Sequence, residues 1–137
     1  MQICTPSGPC SPVTAPRRAV TLDPVWSPNG EQLAFVEAPD LTSSGWAQPV
    51  LKNWYADHRL RLYDTRVTTL RAERGATAPL WSADGKRILY VDDDGIWLLT
   101  RGVSQPVEIA RPLFKRSDWP AYYGQMAWPA QFAWWSK

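Results

Sequence analysis

Two stretches decide how this chain folds: Pro24-Val25-Trp26-Ser27-Pro28-Asn29-Gly30-Glu31-Gln32-Leu33-Ala34-Phe35-Val36 and, 55 residues later, Pro79-Leu80-Trp81-Ser82-Ala83-Asp84-Gly85-Lys86-Arg87-Ile88-Leu89-Tyr90-Val91. They align without a gap, and self-similarity at a fixed spacing marks a repeat architecture. Each copy reads as a short strand ending in Trp-Ser, a tight turn at Pro28-Asn29-Gly30 or Ala83-Asp84-Gly85, and a second, apolar strand. Asn-Gly and Asp-Gly supply the left-handed backbone that such turns need. Leu33 to Val36 and Ile88 to Val91 are apolar at every position, so both faces of each strand should be covered, as in a sheet stacked between two others.

Outward from these cores, third strands are expected at Arg59 to Asp64 and Ile96 to Thr100, and fourth strands at Val67 to Arg71 and Pro106 to Ala110. Four antiparallel strands per repeat make a propeller blade. A third, partial copy, Ala133-Trp134-Trp135-Ser136, follows 54 residues after the second. Trp-Ser-Pro-Asn-Gly and Trp-Ser-Ala-Asp-Gly, each followed by an apolar strand, resemble the TolB-type (WD-like) β-propeller repeat. A similar repeat also forms the propeller lids of prolyl-oligopeptidase-like enzymes. Gln2-Ile3-Cys4, the turn Pro6-Ser7-Gly8, and Cys10 to Thr14 resemble the last two strands of a preceding blade.

The expected architecture is therefore all-β, with about two full four-stranded antiparallel blades and partial blades at both ends. Residues 1–14 form the first partial blade, 22–71 a blade with an insertion at 38–57, and 79–110 a second blade. A second insertion, 112–130, leads to the first strand of a further blade at 131–137. The resemblance implies a periplasmic or extracytoplasmic parent, although the residues after Met1 lack the pattern of a signal peptide.

Composition fits one folded domain. The chain has 137 residues, 45% hydrophobic and 20% charged, which excludes a disordered polymer. Nine Trp and 13 Pro favour a turn-rich fold packed with large rings over long helices. A formal charge of +2 is too small for a nucleic-acid footprint, and no run of 18 apolar residues suggests membrane insertion.

Catalytic chemistry finds little support, and the chain is expected not to be an enzyme. His58 is the single histidine, no Gly-x-Ser-x-Gly occurs, and no glycines stand at phosphate-loop spacing. His58 reads as a structural or solvent-facing strand residue. Asp92-Asp93-Asp94-Gly95 lacks the alternating acids of a calcium loop and reads as a hairpin turn. Cys4 and Cys10 have the wrong spacing for a zinc or redox motif; they form either one hairpin disulfide or two free thiols. No cofactor or metal is expected.

Tryptophan at the repeat position, in Trp26, Trp81 and Trp135, is expected to pack between blades. Seven further rings are not explained by the repeat: Trp46, Trp54 and Tyr55 in the first insertion, and Trp119, Tyr122, Tyr123 and Trp128 in the second. Alternation of strand direction puts Ala38 to Asp57 and Pro112 to Ala130 on one face, opposite the Asn29-Gly30 and Asp84-Gly85 turns. These seven are the candidate binding residues, for a protein or peptide partner. The leading expectation is a non-catalytic protein-binding or scaffolding module. The alternatives are a fragment of the propeller lid of a prolyl-oligopeptidase-like serine peptidase, or a sugar- or peptide-binding propeller. Two complete blades are fewer than a repeat fold generally needs, so a homodimer that completes a ring is also expected.

Overall fold

A computed structural model describes residues 1–4, 6–13, 19–40, 57–64, 67–69, 75–92 and 95–112. Among these the regular structure is all strand, arranged in three antiparallel sheets. The first is a hairpin of β1 (Gln2–Cys4) and β2 (Cys10–Pro12), in which Cys4 stands directly opposite Cys10. The two cysteines are joined in a disulfide, which resolves the choice that their spacing left open.

The second sheet contains β3 (Ala19–Trp26), β4 (Leu33–Pro39), β5 (Arg59–Tyr63) and β6 (Val67–Thr69), in that spatial order. The third contains β7 (Ala76–Trp81), β8 (Arg87–Asp92), β9 (Gly95–Thr100) and β10 (Val107–Ala110), again in chain order. Both are simple meanders, with each strand paired to the next. Their first strands start earlier than expected, at Ala19 and Ala76. β4 also continues through Ala38 and Pro39, which pair with Val20 and Ala19 and so belong to the sheet instead of the first insertion.

The repeated turn owes its form to side chains as much as to glycine. In the first copy Gly30 N–H donates to Ser27 O at 2.9 Å, and Ser27 N–H donates to Gln32 O at 2.8 Å. Gly85 with Ser82, and Ser82 with Arg87, repeat these bonds at 2.9 Å each. The serine hydroxyl donates to Asn29 Oδ1 (2.7 Å) or Asp84 Oδ1 (2.5 Å). It accepts the N–H of Gln32 (2.9 Å) or Arg87 (3.0 Å). Left-handed backbone was expected from Asn-Gly and Asp-Gly together. Only the glycines adopt it, Gly30 at φ 72° and Gly85 at φ 66°, whereas Asn29 and Asp84 contribute their side-chain oxygens, which also accept Glu31 and Lys86 N–H.

A second repeated feature lies before each motif tryptophan. The β3–β4 register shifts between Leu22 and Val25, and the β7–β8 register between Thr77 and Leu80. Each shift brackets a residue with positive φ, Asp23 at 48° and Ala78 at 49°, followed by proline. Proline has no N–H to give a ladder, and a bulge is one of the places where a strand tolerates it.

The two four-stranded sheets pack face to face. Ala34, Leu60, Leu62 and Val25 of one meet Ala76, Trp81, Ile88, Tyr90, Leu99 and Trp97 of the other. The Trp81 indole N–H donates to Val25 O at 3.1 Å, and Ala78 N–H donates to the Asp23 carboxylate at 3.1 Å. These contacts ascend together along both strands, so β3 and β7 run side by side in the same direction. On the other face of the first sheet, Leu33, Phe35 and Tyr63 are covered by Val13, Met1 and Ile3 of the N-terminal hairpin region. Leu33 to Val36 are thus buried on both faces, as their apolar run implies, whereas Leu89 in the corresponding strand of the second sheet is half-buried. One expectation fails here: Trp26 is 47% exposed, not packed, whereas Trp81 is 5% exposed. The hairpin reaches the middle of the face that carries Trp26 and leaves its β3 edge open.

Candidate functional site

The seven insertion aromatics, Trp46, Trp54, Tyr55, Trp119, Tyr122, Tyr123 and Trp128, lie outside the described residues, as does Trp135. Their points of departure are described. The first insertion leaves after Pro39 of β4 and returns before Arg59 of β5, and Glu37 pairs with Arg59 at that end of the sheet. The repeated turn Ser27 to Gln32 lies at the opposite end. In the second large sheet β10 is antiparallel to β9, and β9 to β8, so β10 ends at the end of the sheet where β8 ends. Because β3 and β7 run in parallel, the chain enters both insertions from one end of the sheet pair. The turns gather at the other, where a Cβ on Gly85 would stand 3.8 Å from the Pro28 ring.

The insertion end carries polar groups that the repeat pattern did not reveal. His58, immediately before β5, is 1% exposed, and the backbone of Ala76 at the start of β7 lies beside its ring. Burial pushes the imidazole pKa from 6.5 down to about 4; the Ala76 backbone and the nearby Asp57 charge oppose that shift without cancelling it. His58 is therefore neutral at physiological pH and sits at the junction of the two large sheets. Of the two roles its sequence position allowed, the structure gives it the structural one.

Next to the second departure point, the Arg111 guanidinium lies 5.5 Å from the centroid of the Trp97 ring and pairs with Glu108 at 3.3 Å. A Cβ on Gly95 would approach Trp97 Nε1 to 3.1 Å and Arg111 Nε to 3.2 Å, so glycine lets these groups close over the end of β9. Spacing gave no signal for this contact, since Trp97 in β9 and Arg111 just beyond β10 meet only through the β9–β10 pairing. On the first sheet, Arg61 and Glu37 form an ion pair at 2.6 Å beneath the first departure point.

Asp92 pairs directly with Gly95, so the acidic stretch is the β8–β9 hairpin connection, with Asp93 and Asp94 outside the described residues. Among the described residues no three His, Cys, Asp or Glu side chains are grouped to hold a metal ion. No helix among them is long and apolar enough to cross a membrane. At the turn end, the Ser82 hydroxyl and then the Lys86 N–H hold the Asp84 carboxyl below its usual range, which stabilises the turn. No protein-family model matches the chain, and no curated protein sequence matches it.

Proposed function

We propose that the two four-stranded sheets are consecutive blades of a propeller-type repeat of TolB-like character, and that the chain is a non-catalytic protein-binding or scaffolding module. What carries the reading is the geometry of the sheet pair. Two meanders of the same strand order lie face to face with their first strands parallel, and both aromatic insertions depart from one end. Rigid sheets that deliver two Trp- and Tyr-rich segments to one end suit a docking surface, since buried aromatic anchors dominate binding energy at protein interfaces. The one histidine is buried and neutral between the sheets, a poor position for a general base.

The test is a peptide-panel titration followed by Trp fluorescence, repeated with Trp46→Ala and Trp119→Ala. Binding should weaken about 30-fold or more in each variant, the loss of a hot-spot residue, with the thermal midpoint unchanged. Should both variants lose as much thermal stability as Trp81→Ala, the insertion rings are core and the binding face is abandoned.

A further inference from the structure

The N-terminal hairpin has only two strands, β1 and β2, of three residues each. A two-stranded hairpin is marginal in water unless something else holds it. Alternation along β1 separates two faces: Ile3 is half-buried toward the first large sheet, while Gln2 and Cys4 are exposed. Every residue of β2 is exposed as well, Cys10 among them, so a thiol can reach the Cys4–Cys10 disulfide from solvent. Beneath the hairpin region, Met1, Ile3 and Val13 cover Leu33 (2% exposed), Phe35 (0%) and Tyr63. Of the three covering side chains only Val13 is itself buried. A fully buried aromatic ring thus lies under a cover with little apolar contact of its own.

We propose that this disulfide is a redox latch: its reduction by a dithiol reductant releases the hairpin and uncovers Leu33, Phe35 and Tyr63. A thiolate of the reductant attacks one cysteine sulfur, forms a mixed disulfide and expels the other cysteine as a thiolate. The second thiol of the reductant then displaces the first cysteine. Two electrons and two protons pass to the chain, Cys4 and Cys10 end as thiols, and the reductant leaves as its own disulfide. The cross-link lost is the one between two residues that stand directly opposite each other. What remains is a short ladder, ended by the bond from Val13 N–H to Met1 O at 3.1 Å, and the three covering side chains. The uncovered patch joins a ring that is already open, since pairing puts Trp26, 47% exposed, opposite Leu33 and Leu33 opposite Tyr63. Reduction therefore turns one exposed tryptophan into an apolar band across β3, β4 and β5. The core between the two large sheets is untouched, because the chain has no other cysteines and Trp81 and Tyr90 are buried without the hairpin. The inference rests on the hairpin and not on the insertion aromatics, so it stands or falls apart from the proposed binding face.

Hydroxyl-radical footprinting read by mass spectrometry tests it on three forms of the full chain: oxidised, reduced and capped with iodoacetamide, and the double variant Cys4→Ser/Cys10→Ser. A cross-link of this span favours the closed loop on the order of 50-fold, so labelling of Phe35 should rise about tenfold or more in both forms that lack it. Labelling of Trp81 and Tyr90 should stay as low as in the oxidised protein. Equal labelling of Phe35 in all three forms overturns the proposal, because the hairpin then stays in place without its bond. A rise at Trp81 and Tyr90 in step with Phe35 also overturns it, since the disulfide would then hold the whole fold and not a cover. A rise confined to the capped form does the same, for it assigns the opening to the bulk of the cap. Two free thiols in the untreated protein, together with a protected Phe35, likewise overturn it.

Discussion

Trp26 and Trp81 share a motif, a turn and a bulge, and differ in exposure, 47% against 5%. The comparison separates what a repeat unit provides by itself from what it draws from a neighbour. The hydrogen bonds of the Ser27–Gln32 turn recur in Ser82–Arg87, so the turn belongs to the unit. Burial of the tryptophan does not. It needs the Val25 carbonyl and the Ala34, Leu60 and Leu62 surface of the sheet before it. A sequence motif can therefore be identical in chemistry and unequal in energy, according to where the unit stands in the row.

The largest predicted effect is the asymmetry itself. Trp81→Ala should cost about 3–5 kcal/mol in urea unfolding, because it leaves a cavity between the sheets. Trp26→Ala should cost less than about 1 kcal/mol. Comparable losses at both positions would mean that the exposed ring is held by something the described residues do not show.

Next is a dependence on acid that belongs to the sheet junction. The folded pKa of His58, about 4, lies below the ordinary 6.5, so between these values the unfolded chain binds a proton that the folded chain does not. The stability due to neutral His58 is complete above pH 6.5 and falls as pH drops toward 4, by a total on the order of 3 kcal/mol. Unfolding at pH 7 and pH 4.5 checks this, with His58→Gln as the control: the variant should lose much less on acidification. An equal loss would place the acid sensitivity elsewhere.

The smallest effect sharpens the comparison from the other side. Ser27→Ala and Ser82→Ala each remove a hydroxyl that donates to Asn29 or Asp84 and accepts a backbone N–H, and each should cost about 1 kcal/mol. Both effects should agree within error in thermal unfolding, in contrast to the tryptophan pair. A large difference would show that the turns, too, depend on their neighbours.

How much of this was legible in the sequence follows the same division. Features carried within one unit could be read: the Trp-Ser turn, the order of four strands, and the double burial of Leu33 to Val36. Features that depend on which unit is adjacent could not. Nothing in the spelling of Trp26 distinguishes it from Trp81, and nothing in the spelling of His58 shows that it is buried beside Ala76 of the other sheet. The bulges escaped notice because Asp23 and Ala78 are chemically unlike; their common position before Pro24 and Pro79 was the available signal. For the seven insertion aromatics the sequence supplied a shared end of the sheets, and the points where the chain leaves Pro39 and Ala110 lie at that end.

The bulge pair also gives the row a grammar. Asp23 offers a carboxylate to the unit that follows, and Ala78 accepts that bond through its N–H. In the second sheet the corresponding residue is Ala78, whose methyl group offers no acceptor. The bond that ties the two bulges together is therefore carried by a side chain that the repeat itself does not repeat.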